Sequence, residues 1–185
     1  MKIRTVGPLN TEELLEKALT SFAGSYDISR DTQVHGRPVQ ALCQLRAMNS
    51  KYMIKKKWVV WEANAFEHCV FVTADTLTAD TVQDWFSFLT RDAEEELVHP
   101  GEKYPPEGHM YTYLTTVFLC GSMEPEAVKA LKRLKFNKNY LFTVRGWATG
   151  RALAVDMSSG KVVTNAAGKE MRKHFEKLLK SAKKV

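Results

Sequence analysis

No stretch of this chain approaches the ~20 consecutive apolar residues that a membrane-spanning helix needs, so no membrane segment is expected. Met1 to Pro8 carries two basic residues but no apolar run of signal length, which predicts a cytoplasmic protein. Cysteine is scarce, with only Cys43, Cys69 and Cys120. Each stands alone in an apolar run and no C-x-x-C spacing occurs, so these read as buried reduced thiols, not as a disulfide framework. No segment is low-complexity, and none repeats at a solenoid period. The phosphate-cradling patterns G-x-x-x-x-G-K-[ST] and G-x-G-x-x-G are missing, and so is the nucleophile elbow G-x-S-x-G. His68 and Cys69 are neighbours on a strand and point to opposite faces, while His99 and His109 have no partner pair at ligand spacing. These absences leave no catalytic residue, metal or cofactor to assign.

The excess positive charge sits at one end. From Ala167 to Val185 there are seven Lys/Arg against two acids, which is +5 of the formal +6. The remainder of the chain is close to neutral, so the pI near 9.2 describes a terminal segment.

A chain of 185 residues is read as a single domain, 1–185, able to bury roughly 70% of its unfolded surface without metal or disulfide. The spacing of Leu14, Leu15, Ala18, Leu19 and Phe22 predicts a helix over about 11–23, capped by Asn10 with Glu13 as its capping-box partner. Strands are expected at 26–34, 39–47, 52–62 and 67–73. Trp58-Val59-Val60-Trp61 is apolar on both faces, as a central strand would be. A second helix starts at the N-cap Thr78, with Leu77 and Val82 in staple positions, and its face of Val82, Trp85, Phe86, Leu89, Ala93 and Leu97 runs on to a stop at Pro100. A connector spans 99–109. Then come a strand at 110–119, a short helix at about 124–134 and strands at 140–147, 151–157 and 161–164. A basic amphipathic helix closes the chain at about 167–182. The order α-ββββ-α-β-α-βββ-α argues for an α+β fold. Its expected form is one mixed, mainly antiparallel sheet of six to eight strands, with about four helices largely on one face.

Arg145-Gly146-Trp147, Val155-Asp156, Gly160-Lys161-Val162, Thr164-Asn165 and Gly168-Lys169-Glu170 resemble the closing stretch of a bacterial family of small uncharacterised proteins. The Lys51-Tyr52 turn and the helix from Trp85 to Leu89 fall at similar places, so the resemblance spans roughly 11–170. Its motifs belong to turns and packing. It implies a self-contained bacterial domain and carries no activity or site residue.

Three function classes are compatible with this reading. The first is a binding domain without catalysis. In the last helix Met171, Phe175, Leu178 and Ala182 form an apolar stripe, and Lys173, Lys177, Lys180 and Lys184 repeat its spacing two residues later, ~200° round the helix. Such a helix docks by one face and offers a positive face to an acidic protein or a nucleic acid. The plain alternative is a solvated face that aids solubility. Lys132 and Arg133, in a second basic cluster with Lys129, Lys135 and Lys138, extend the patch if the two helices are neighbours. The run Lys55-Lys56-Lys57 alternates sides on a strand and reads as edge protection. The second class is an enzyme, most concretely a metal-dependent nuclease, but its E-x-K pattern appears only as Glu62-Ala63-Asn64, without the lysine. The third is a small-ligand pocket over the sheet, rimmed by Tyr104, Tyr111 and Tyr113.

Overall fold

A computed structural model describes residues 10–49 and 63–182. The strand expected at 52–62, with Trp58 to Trp61, Lys55 to Lys57 and Glu62, lies outside the described residues. Within them a seven-stranded mixed sheet carries five helices, four of them longer than six residues. The elements are α1 (Thr11–Phe22), β1 (Asp27–Val34), β2 (Arg37–Asn49), β3 (Ala63–Leu77), α2 (Ala79–Ser87), a π-helical segment (Phe88–Asp92), α3 (Glu94–Val98), β4 (His109–Met123), α4 (Pro125–Arg133), β5 (Asn137–Asn139), β6 (Trp147–Asp156), β7 (Lys161–Thr164), a 3-10 turn (Lys169–Met171) and α5 (Arg172–Ala182). The fold is α+β. No helix among the described residues is long and apolar enough to cross a membrane.

Local chemistry accounts for the helix starts. The Asn10 side chain accepts the Glu13 N–H at 2.8 Å, and Thr78 accepts the Thr81 N–H at 3.2 Å. Leu77 and Val82, on either side of that second cap, are both fully buried. All five apolar positions expected on α1 are buried.

The strands run in the order β1-β2-β3-β4-β6-β5, and β7 pairs with the same outer edge of β6 as β5 does, further along. β3, β4 and β6 are parallel and the other four pairings antiparallel. Parallel neighbours need crossovers. The segment from α2 to α3 supplies one and α4 the other. Both crossovers lie on one face and the terminal helices α1 and α5 cover the other, so the helices do not gather largely on one face. α2 and α4 pack over Leu114, Phe118 and Ala152, while α1 and α5 pack over Phe71, Val117 and Leu153 on the opposite face. Residues 114–120 of β4 are buried without alternation, as a doubly covered strand requires.

Two further elements depart from expectation. The second helix does not run evenly to Leu97. The Thr90 hydroxyl donates to the Phe86 carbonyl at 2.7 Å, and the Ala93 N–H reaches the Phe88 carbonyl, five residues back, at 2.9 Å. The inserted residue rotates the next helical turn, so Glu94 and Val98 point inward and Leu97 is only half-buried. The strand expected at 140–147 is instead a closed turn. Tyr140 N–H donates to the Gly146 carbonyl and Arg145 N–H to the Tyr140 carbonyl. Leu141, Phe142 and Thr143 take φ of 49°, 52° and 71°, which leaves Phe142 94% exposed. Gly146 closes this turn at φ 76°, where a Cβ would lie 2.2 Å from the Met110 carbonyl oxygen.

One polar side chain joins three elements. Asn165 is 1% exposed. Its Oδ1 accepts the Ala152 N–H of β6 at 3.1 Å and the Gly168 N–H at 2.9 Å, while its Nδ2 donates to the carbonyls of Leu134 and Gly150, both at 3.1 Å. A Cβ on Gly168 would meet the Ala152 carbonyl oxygen at 2.8 Å, so only glycine allows the approach. This clamp also explains why the last helix begins at Arg172 and not near 167, since the chain is held in a turn until it clears Gly168.

The packing of α5 and the Asn165 clamp each set a stability outcome. Phe175 is 1% exposed against Phe22 and the sheet, and Phe175→Ala should cost about 3 kcal/mol in a denaturant melt. A loss below about 1 kcal/mol would mean that α5 is not docked. Asn165→Asp replaces two donors by a carboxylate facing two carbonyls and should cost about 3 kcal/mol at neutral pH, with part regained as acid protonates the new side chain.

Candidate anion-binding groove

α4 and α5 lie on opposite faces of the sheet, yet both border β7, the short strand at its edge. Between them runs a groove of about 940 Å³. One wall is the face of α4 that carries Pro125, Val128, Lys129 and Lys132. The other is the face of α5 that carries Arg172, Glu176, Leu179 and Lys180. These positions recur at helical spacing, so each wall is a single helix face. The floor is Lys161, Val162 and Val163 of β7. One end is closed by Met123 and by the turn between β6 and β7.

Five cations from three elements therefore line one depression: Lys129, Lys132, Lys161, Arg172 and Lys180. Two acids oppose them. Asp156 is already committed, because its carboxylate accepts the hydroxyls of Ser158 and Ser159, each at 2.7 Å, and the Ser159 N–H at 3.1 Å. Burial raises its pKa, but these hydrogen bonds together outweigh it and hold the group below the usual carboxylate range. Of the two acids, Glu176 is the one not tied into a turn. Arg172 Nε has no hydrogen-bond partner among the described residues.

Of the lysines singled out in the sequence, Lys132 and Lys180 line the groove. Lys173 and Lys177 are exposed on α5 outside the lining, Arg133 is exposed at the end of α4 outside it as well, and Lys184 lies outside the described residues. The apolar stripe of α5 is Phe175, Leu179 and Ala182; Leu178, expected in that stripe, is only half-buried. This small rotation brings Arg172 and Lys180 to the groove and leaves Lys173 and Lys177 on the outer side. Lys161 was hidden in a turn motif and Arg172 in a count of charges. The pattern of the terminal helix alone could not find them, because the site needs β7 and α4 beside it.

The aromatic rim expected over the sheet is partly assembled. Tyr111 lies 4.8 Å from Tyr113 and 5.6 Å from Trp147. The Arg151 guanidinium sits 3.2 Å over the Tyr113 ring, where Glu67 and Glu170 accept its N–H groups. Tyr104 stands on the connector. Elsewhere, Glu94 is buried beneath the 140–146 turn, where it accepts from the Tyr140 hydroxyl and from Lys138 Nζ at 2.6 Å, with His99 Nε2 at 3.4 Å. His109 donates from Nδ1 to the Arg145 carbonyl at 2.7 Å, and its Nε2 accepts from Thr112 at 2.8 Å. These contacts pin the turn to the sheet. Among the described residues, no three His, Cys, Asp or Glu side chains come together so as to hold a metal ion.

The buried histidines make stability depend on pH. Burial drives the His68 pKa down to about 4 from 6.5, against a smaller opposing effect of the Leu97 backbone. Gln44 Nε2 lies 3.1 Å from its Nδ1. His109 is lowered in the same sense, first by burial. Both rings are neutral when folded, so the stability they contribute is present above pH 6.5 and is lost as pH falls through their lowered pKa values, about 4 for His68. The expected loss over that window is on the order of 2–3 kcal/mol, beyond what a His68→Gln variant loses in the same melts.

The chain belongs to the family described as Domain of unknown function (DUF8052), whose model matches residues 10–177. No curated protein and no solved structure matches it. Lys129, Lys132, Lys161 and Arg172 fall inside the matched span. The family's description names no activity.

Proposed function

We propose that this family member is a non-catalytic binding domain that receives an anionic partner in the groove between α4 and α5. The supporting observation is the convergence of five cations from three separate elements on one depression of about 940 Å³, with Asp156 already satisfied by its own turn. Each cation alone would be a solvated surface charge worth little. Gathered round a concave site, they raise the local potential and attract anions. The volume lies within the range of about 300–1,000 Å³ usual for ligand sites. A cytoplasmic setting fits this reading, because Cys43, Cys69 and Cys120 are free and buried. Burial raises the pKa of all three thiols, to about 12 for Cys43 and Cys120, as suits inert thiols in a reducing compartment.

Placing the site in the groove, and not along the outer lysines of the terminal helix, has a direct test. Poly-L-glutamate labelled with a fluorophore should bind the full chain at low salt and be released as salt rises. Lys129→Gln, Lys132→Gln, Lys161→Gln and Lys180→Gln made together should weaken binding by about tenfold or more. Lys173→Gln with Lys177→Gln should change it by less than about twofold. The reverse ranking would move the site to the outer face of α5, and no binding at low salt would remove the proposal. If duplex DNA binds, about three to four phosphate contacts would show as a slope near −3 in log K against log salt.

A further inference from the structure

We infer that the occupant of this groove is an acidic protein segment carrying an apolar side chain between its carboxylates. The inference rests on reading the groove as an anion site, and it concerns the chemistry between the charges. Between the lysines the accessible apolar surface comes from Val128 and Met123, both half-buried, and from Pro125. A phosphate–sugar backbone has no use for such surface, whereas an aliphatic side chain does. Among the described residues no aromatic ring lines the groove, so bases would find no platform there to stack on.

Size points the same way. The walls run from Pro125 to Lys132 and from Arg172 to Lys180. At 1.5 Å per residue each is about 11–12 Å long. That length takes about three or four residues of extended chain at ~3.3 Å each. It is too short to track a polymer through many phosphates, and the lysines that would prolong it, Lys173 and Lys177, lie outside the lining.

The arrangement of charge suits such a segment. Four of the five cations are lysines, whose long aliphatic stems lie along an apolar surface while their heads stay in water. Lys129 and Lys132 hold one rim and Lys180 the other, with Lys161 between them. An apolar side chain seated against Val128 and Met123 would leave a carboxylate on either side of it to meet the lysines. Glu176, on the α5 wall, disfavours a second carboxylate at that point and so favours charges on either side of a neutral centre.

Two labelled peptides of equal charge separate these features. One has the sequence Glu-Glu-Leu-Leu-Glu-Glu, and in the other both leucines are serine. By anisotropy against the full chain, the leucine peptide should bind about tenfold tighter, the worth of burying one aliphatic side chain in part. Val128→Ser should erase that preference, bringing the leucine peptide down to the affinity of the serine peptide, with a thermal melt confirming that the variant is folded. Met123→Ser serves the same purpose if Val128→Ser does not fold. Equal binding of the two peptides would overturn the inference while leaving the anion site intact. A single-stranded thymidine oligonucleotide that binds tighter than either peptide would also overturn it, in favour of a nucleic-acid occupant. Failure of every probe at low salt would overturn the underlying reading as well.

Discussion

Four hydrogen bonds to the side chain of Asn165 fix the relation between β6, the end of α4 and the start of α5. A buried amide can make that many bonds only if two acceptors and two donors come to it in one plane. Here the acceptors are the carbonyls of Leu134 and Gly150, and the donors are the N–H groups of Ala152 and Gly168. Asn165 takes over a rung of the sheet ladder where β7 leaves β6, so the strand can end without stranding the Ala152 N–H. The same side chain draws the exit of α4 toward the entry to α5. The groove exists because these two helices, on opposite faces of the sheet, are tied to one side chain at its edge.

The two ends of the molecule use polar groups differently. At the groove, cations from three elements line one depression, with Asp156 turned onto its own serines. At the far end, beneath the 140–146 turn, Glu94 is deeply buried and surrounded by Tyr140, Lys138 and His99. A buried carboxylate survives there only because each oxygen meets a donor. One end keeps its charge available, and the other commits it to holding a strained turn in place.

Much of the architecture was legible in the sequence, and the exceptions have physical causes. Asn10 and Thr78 cap the first two helices as their side chains suggest, and the turn at Ser158-Ser159-Gly160 joins β6 to β7 as expected. The division of helices between two faces was not read, although the apolar run Val117 to Cys120 of β4 contains the signal: a strand covered once would alternate. The π-helical segment was invisible because it arises where Thr90 caps a carbonyl, a contact that no periodicity shows. The turn at Leu141 to Thr143 defeats a propensity argument, since three successive side chains adopt a backbone conformation they rarely choose alone. At the candidate site Lys132 and Lys180 were found through local charge. Lys161 and Arg172 were missed, because their role depends on which elements the fold makes neighbours.

The sheet's margins carry one more consequence. On one side β1 is largely exposed and polar, with Arg30 and Asp31 near its middle and Asp31 kinked at φ 44°. On the other, the edge of β6 is shared by two short strands, and Val162, Val163 and Thr164 of β7 are buried. Among the described residues, neither margin offers a long, flat row of free backbone groups, the feature through which sheets fuse with one another. The kink and charges of β1 and the short strands along β6 therefore disfavour a partner that would lengthen the sheet. A partner meeting these margins is instead recognised through side chains, one position at a time, and this leaves discrimination between partners to a few residues that can change without disturbing the fold.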